Sequence, residues 1–220
     1  MMNHISTSVR ITIIMLVICC GVYPFVVWGV GQIMFKHQAN GSLIYNSSGQ
    51  VIGSELLGQS FTKPIYFQPR PSAAGAGYDP TASGGTNLGP TSDKLINGIP
   101  DTLPNGKPNP SGFDGIKTLA AEYRTTNGLA ANAPVPVDAV TRSASGLDPE
   151  ISIANAELQA PRVARARNVS VDQVKQLIDQ NTRGRGLGFL GEPGVNVLEL
   201  NLALDKVAPA PAPAATPAKS

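Results

Sequence analysis

Histidine and cysteine are almost missing from this 220-residue chain, with two of each. His4 and His37 stand on either side of one apolar run, and Cys19 and Cys20 lie side by side within it. The rest of the chain therefore has no histidine for a Ser-His-Asp or Cys-His arrangement, or for a histidine metal site. A disulfide framework and a thiolate zinc site are excluded in the same way. The adjacent cysteines read as two small apolar residues of a membrane helix. Aromatic residues make up only 5% of the chain and charged residues only 15%. No acidic residue occurs before Glu55, and beyond residue 36 the 15 basic residues are balanced by 15 acidic ones. That balance lacks the basic surface that nucleic-acid binding needs. What the chain has in quantity is backbone punctuation, 23 glycines and 19 prolines, which predicts a loop-rich core.

The longest feature is Ile11–Phe35, "ITIIMLVICCGVYPFVVWGVGQIMF", 25 residues without a charge. As a helix it is about 37 Å long, enough to cross a hydrocarbon layer of about 30 Å with some tilt. Pro24 falls at a kink position, and Tyr23 and Trp28 suit an interface. The run exceeds the apolar region of a cleaved signal and has no Ala-x-Ala site, and Ile18 before Cys19 does not fit a lipoprotein signal. The expectation is an uncleaved anchor. Arg10 precedes it and Lys36 follows, which by the positive-inside tendency puts the N-terminus in the cytoplasm and the remainder outside.

Beyond the anchor, "SLIYNSSGQVIGS" reads as a short extended lead-in, two apolar patches separated by a turn-like Asn-Ser-Ser-Gly. "ELLGQSFTKPIYFQPRPS" (residues 55–72), with three prolines, reads as edge strands and turns. "TSDKLINGI" predicts a short helix, followed by a long surface loop. Ile116, Leu119, Ala120 and Tyr123 fall at helical spacing, stopped by Asn127-Gly128. "VPVDAVTRSASGLDPEIS" (residues 135–152) starts as a strand. "ANAELQAPRVARAR" is helical despite Pro161, and Ser170 with Gln173 forms a capping box before another helix. "VNVLELNLAL" (Val195–Leu204) alternates with one slipped phase, which predicts a strand with a bulge. The expected class is α+β: a single N-terminal transmembrane helix and one mixed soluble domain. The divisions are a segment 1–10, the helix 11–35, the domain 36–206 and a disordered Ala/Pro-rich tail 207–220.

Four motifs bear on chemistry. "SGGTNLGP" (Ser83, Gly84, Gly85, Thr86, Asn87 and on to Pro90) has the glycines to converge amides on an anion but lacks a P-loop lysine. A turn-rich loop packed on a partner is the alternative. Gly186-x-Gly188-x-x-Gly191 matches the dinucleotide fingerprint in letters, but a helix precedes it and a strand follows. It reads as an αβ connection. Paired carboxylates for acid/base work remain, for example Asp138 with Asp148, or Asp148 with Glu150, and the Asp148 neighbourhood reads as turn chemistry. Arg162 and Arg165 share a helix face, either solvated or facing a partner.

Taken in order behind one span, "FTKPIYFQPRPSAA", "SGGTNLGP", "VPVDAVTRSASGLDPEIS", "QAPRVARAR" and "LGFLGEPGVNVLELNLAL" resemble the KdpC family. These are the small subunits of bacterial high-affinity potassium-transporting P-type ATPases. The likeness covers about residues 8–206; the "GKPNPSG" loop and the tail fall outside the pattern. The resemblance implies an accessory subunit at the bacterial inner membrane, since no DKTGT-type phosphorylation sequence is present. Its partners would be a KdpA-like channel subunit, a KdpB-like ATP-hydrolysing subunit and a KdpF-like small subunit. No cofactor of its own is implied; K+ is the ion the complex carries, and ATP would be met through the hydrolysing partner. The family's described role as a catalytic chaperone that raises ATP affinity rests on a glutamine, for which Gln159 is the candidate. If the domain lies outside, however, ATP is on the wrong side of the membrane. Ser83–Asn87 is then a loop docked beside the ion entrance.

Overall fold

The computed structural model describes residues 2–209 and divides into two compact units that meet between Ser54 and Glu55. The expected Ala/Pro-rich disorder beyond Pro209 lies outside the described residues.

The first unit is the long N-terminal helix and a hairpin. Helix α1 (Met2–Leu16) runs into a wide π-helical turn (Val17–Val22) and on into α2 (Tyr23–Met34). Its stretch His4–Met34 is long and apolar enough to cross a membrane, with none of its most apolar window buried. The wide turn sits just ahead of Pro24. A proline there cannot donate to the carbonyl one turn back, and its ring crowds that carbonyl, so a locally widened helix relieves both problems. A short helix α3 (Lys36–Ala39) leads to β1 (Leu43–Tyr45) and β2 (Val51–Ser54), paired antiparallel. The turn between the strands is closed by Asn46, whose Oδ1 accepts from the amides of Ser48 and Gln50, an Asx arrangement. The turn is the one the Asn-Ser-Ser-Gly pattern implies, and the structure pairs the two apolar patches that flank it.

The second unit holds the core. Helix α4 (Asp93–Asn97) is capped by Ser92, and α5 (Ile116–Asn127) ends at Gly128 in the left-handed conformation, φ +66°. Helix α6 (Ile153–Arg167) runs through Pro161 unbroken, and α7 (Val171–Gln180) opens on the Ser170/Gln173 capping box. Strands β3 (Glu150–Ile151), β4 (Thr182–Arg183) and β5 (Gly194–Asn196) form an antiparallel sheet in the order β3-β5-β4. Helix α8 (Val197–Val207) closes the domain. Ala156, Ala160 and Ala164 of α6 present a small-residue face, against which Val174, Ile178, Val195, Leu200 and Leu204 are buried.

Four readings need correction. The leucine-rich segment is strand only through Asn196; from Val197 it is helix. Asn196 Oδ1 accepts from the Glu199 amide at 3.1 Å, an N-cap. The buried residues Val197, Leu200, Asn201 and Leu204 fall at helical spacing. The slipped phase therefore marked a helix start. Residues 55–72 contain no strand, because their backbone pairs with side chains instead. Asn201 exchanges two hydrogen bonds with the amide and carbonyl of Phe67, at 2.8 and 3.0 Å. Gln159 does the same for Gln68, at 2.7 and 3.0 Å. Two carboxamides thus stand in for a neighbouring strand. The stretch expected to begin as a strand at Val135 makes only one 3₁₀ turn, Val137–Ala139. Finally, Gly186, Gly188 and Gly191 belong to a hairpin turn between β4 and β5 rather than an αβ connection, because the short strand β4 intervenes after α7.

Candidate functional site

Two groups of residues meet around α6: a buried polar stripe along the helix, and a pair of interlocked glycine-containing loops near its start.

The stripe begins at the helix N-terminus. Ser152 caps α6, its Oγ accepting from the Asn155 amide at 3.1 Å. Asp138 holds the cap in turn. Its carboxylate accepts from the Ser152 amide at 2.8 Å, from Ser152 Oγ at 2.9 Å and from Asn155 Nδ2 at 2.9 Å. A carboxylate beside a helix N-terminus also meets the positive end of the macrodipole. One turn on, Asn155 Oδ1 accepts from Tyr123 Oη at 2.8 Å and from Gln159 Nε2 at 2.9 Å. Burial, and then the charge of Asp138, pushes the Tyr123 hydroxyl well above the usual tyrosine value.

Gln159 is 1% exposed. Its Oε1 accepts from the Gln68 amide at 2.7 Å and from Arg162 Nη2 at 2.8 Å. Its Nε2 donates to the Gln68 carbonyl at 3.0 Å and to Asn155. A carboxamide offers two donors and two acceptor positions, and all four are taken. Arg162, also buried, donates from Nε to Asn127 Oδ1 at 2.9 Å and from Nη1 to the carbonyls of Tyr66, at 2.9 Å, and Pro64. Burial pulls its guanidinium below the ordinary arginine value. The two arginines expected on one helix face, solvated or facing a partner, thus separate: Arg165 is exposed and Arg162 is internal. Arg167 repeats the pattern, donating to the Ile65 carbonyl at 2.8 Å, pairing with Asp205 at 2.7 Å and lying over the Tyr66 ring at 4.9 Å. Arginines at both positions therefore staple the segment 64–67 onto α6.

The second group contains Ser83, Gly84, Gly85, Thr86 and Asn87. Ser83 Oγ and the Gly84 amide both donate to the Ser145 carbonyl, at 3.0 and 2.9 Å. A Cβ on Gly85 would lie 2.9 Å from the Ala144 carbonyl oxygen. A Cβ on Gly146, which is itself at φ +69°, would lie 2.7 Å from the Gly84 oxygen and 2.7 Å from the Ala74 nitrogen. The glycines are needed because two backbones touch, which leaves no room for side chains. Asn87 turns outward at φ +51°, exposed. Ser72 joins the same junction, with Oγ donating to the Gly146 carbonyl at 2.6 Å and accepting from the Tyr78 amide at 2.9 Å. The Tyr78 hydroxyl donates to the Arg70 carbonyl, and burial pushes its pKa far up. Arg70 in turn pairs with Asp148 at 2.6 Å. "SGGTNLGP" therefore packs against "SASG" of its own chain, and the Gly84 amide is already spent rather than aimed at an anion.

A cleft of about 480 Å³ opens beside this junction, lined among others by Glu55, Arg70, Asp138, Asp148, Glu150 and Arg183. Asp138 is committed to the α6 cap and Asp148 to Arg70, so each member of that acid/base pair already has a structural duty of its own. Sequence reasoning missed Gln68, Asn201, Tyr123 and Asn127 as partners of this site. Their signal lay in polar residues at core spacing: Asn155, Gln159 and Arg162 recur at i, i+4 and i+7 on the buried face of α6.

The sequence matches the family described as "KdpC: K+-transporting ATPase, c chain" over residues 5–206. Among curated relatives, a protein named potassium-transporting ATPase KdpC subunit from Mycobacterium bovis BCG is 50% identical over 207 residues, covering 94% of this chain and all of its own. Its namesake from Koribacter versatilis is 46% identical over 213 residues, covering 97% of this chain and all of its own. That from Caulobacter vibrioides is 52% identical over 184 residues, 83% of each chain.

Proposed function

This chain belongs to the KdpC family of potassium-transporting ATPase subunits, and on that premise we propose that its domain is an exterior docking element that supports assembly and K+ import without contacting nucleotide. It is an accessory subunit, not the one that hydrolyses ATP. One observation carries the proposal: Gln159, the residue that the family resemblance assigns to nucleotide, is 1% exposed with its amide fully paired inside the fold. Contact with a nucleotide requires the segment 64–68 to lift off α6 and four hydrogen bonds to be given up. The charge placement supports the same side of the membrane, with Arg10 ahead of the span, Lys36 just after it and no acid before Glu55. In this reading Ser83, Gly84, Gly85, Thr86 and Asn87 form an uncharged loop set against the channel-like subunit near the potassium entrance. The ATP-hydrolysing and small membrane subunits complete the assembly.

The rival reading raises the ATP affinity of the hydrolysing subunit through Gln159. Sidedness separates the two. In a chain with Cys19 and Cys20 replaced, single cysteines at Ser220 and at Ser83 are treated in intact cells with a membrane-impermeant thiol reagent, after potassium-limited growth confirms assembly. Labelling of Ser220→Cys from outside is expected. Labelling only after the membrane is opened would put the domain with ATP and reverse the order of the two readings. Substituting Ser83, Thr86 and Asn87 together is expected to lower potassium affinity or assembly; unchanged growth at low potassium would remove the loop from the proposal.

A further inference from the structure

The turn between β4 and β5 displays an apolar tip on a short rigid stalk. Leu187 is 84% exposed, Phe189 69% and Leu190 53%. Single exposed apolar residues need no explanation, but three within four positions of one turn do. The turn is ordered by its own backbone. Gly186 and Leu190 exchange two hydrogen bonds, both 2.8 Å, and the Gly188 amide donates to the Arg185 carbonyl at 3.1 Å. Leu187 itself sits in the left-handed region at φ +51°, followed by Gly188 at φ +83°. A leucine held there costs backbone energy, and at 84% exposure it buries little of its side chain among the described residues in return. A preformed turn also loses little freedom on binding, which favours a docking role.

The charges around the stalk say what kind of surface it fits. Arg185 is paired with Glu192 at 2.6 Å. Arg183 is paired with Glu199 at 2.6 Å and has Glu55 at 3.6 Å and Glu150 at 3.9 Å. Even with Glu55 set aside, two guanidiniums stand among the three carboxylates of Glu150, Glu192 and Glu199, leaving the collar net negative. A layer of anionic lipid headgroups attracts unneutralised basic residues and would repel this collar. A second copy of the chain brings the same negative collar and is disfavoured for the same reason. The complementary surface is an apolar pocket with a neutral or basic rim.

We propose that Leu187, Phe189 and Leu190 form an anchor that inserts into such a pocket on another subunit of the potassium-transporting ATPase. The proposal rests on membership of the complex and not on which side of the membrane the domain occupies, and it concerns a surface separate from Ser83–Asn87. Phe189 is the central anchor, since a buried aromatic contributes most to such contacts.

The test uses the full chain in the assembled complex. With Cys19 and Cys20 replaced by serine, Gly184→Cys, in the stalk where an added side chain meets open space, is modified with a benzophenone maleimide and irradiated in membranes. The expected product is an adduct with another subunit of the complex, identified by mass spectrometry. An adduct with lipid alone, an adduct with a second copy of this chain, or no adduct overturns the proposal. Independently, Phe189→Ser is expected to weaken retention of the chain on the detergent-solubilised complex about thirtyfold, the size of a typical aromatic hot spot. Should Phe189→Ser fail to fold, Leu187→Asn replaces it, because asparagine accepts the left-handed backbone. Retention at the parental level by the folded variant overturns the proposal. Labelling at Ser220 reports sidedness separately, so an error there and an error here are told apart.

Discussion

The face of α6 and the tip of the β4–β5 turn invert each other's chemistry. Along α6, polar side chains lie where apolar ones are expected: Asn155 and Gln159 are 1% exposed and Arg162 is 8% exposed. At the turn, leucines and a phenylalanine stand in solvent. The α6 residues are tolerable because their polar atoms are matched within the chain. The turn residues have no such match. The first arrangement completes itself on folding, while the second stays exposed among the described residues. Satisfaction within the chain, rather than polarity, thus separates structural residues from those held available to a partner.

The contrast breaks most visibly at Arg162. Arg162→Ala removes the donor to the carbonyls of Pro64 and Tyr66 and to Asn127 Oδ1, and leaves Gln159 Oε1 with the Gln68 amide alone. Loss of a charged donor from several buried acceptors is expected to cost about 3 kcal/mol or more, read from urea unfolding of the purified chain. Gly146→Ala comes next. Its Cβ meets backbone on two sides at 2.7 Å, at φ +69°, and a loss of about 2 kcal/mol is expected by the same measurement. A smaller loss for Gly146→Ala than for Ala at exposed Gly77 would show that the loop junction is not close-packed. The polar stripe also predicts a pH dependence. The Tyr123 hydroxyl is held above its ordinary value by burial, whereas an unfolded tyrosine ionises near pH 10. The folded state binds that proton more tightly, so its stabilising share is complete below about pH 10 and falls as the pH rises further. Tyr123→Phe is expected to lower stability at neutral pH by about 1 kcal/mol and to flatten part of the alkaline decline. An unchanged alkaline slope would place the titration elsewhere, for example at Tyr78. The smallest effect belongs to the turn. Leu187→Asn is expected to change the stability of the isolated chain by less than about 0.5 kcal/mol while disrupting assembly, and that pairing of results is what the contrast requires.

The elements readable in the sequence were those whose reasons are local. The capping box at Ser170, the stop at Gly128 and the Asn46 turn each depend on residues within a few positions, and each stands as the pattern implied. What escaped depended on partners far along the chain. Gln68 and Gln159 are 91 positions apart, and Phe67 and Asn201 are 134 apart. No spacing rule reveals that a carboxamide will act as a strand edge, so residues 55–72 read as strands that needed a neighbour. The leucine segment failed for another reason: alternation over Leu198–Leu204 satisfied the strand pattern while Asn196, three before Glu199, carried a helix-start signal that outweighed it. At the loop junction the composition of "SGGTNLGP" was legible but its complement was not, because Ser83 meets Ser145 across 62 positions. Gln159 stood out through resemblance, whereas its burial follows from the alanines around it on α6.

The wide turn at Val17–Val22 alters the bookkeeping of the whole anchor. A π-type turn inserts one residue into the helical count, so the side chains after it are rotated by about 100° from where an unbroken helix would put them. Ile11, Met15 and Ile18 therefore do not continue into the stripe that holds Phe25 and Trp28, as a single helical wheel would suggest. A neighbouring straight helix can follow one flank of this anchor through its first half and must meet a different flank in its second. A cysteine scan along the span should accordingly resolve into two short periodic tracks, out of phase with each other, with the change of phase falling just before Pro24.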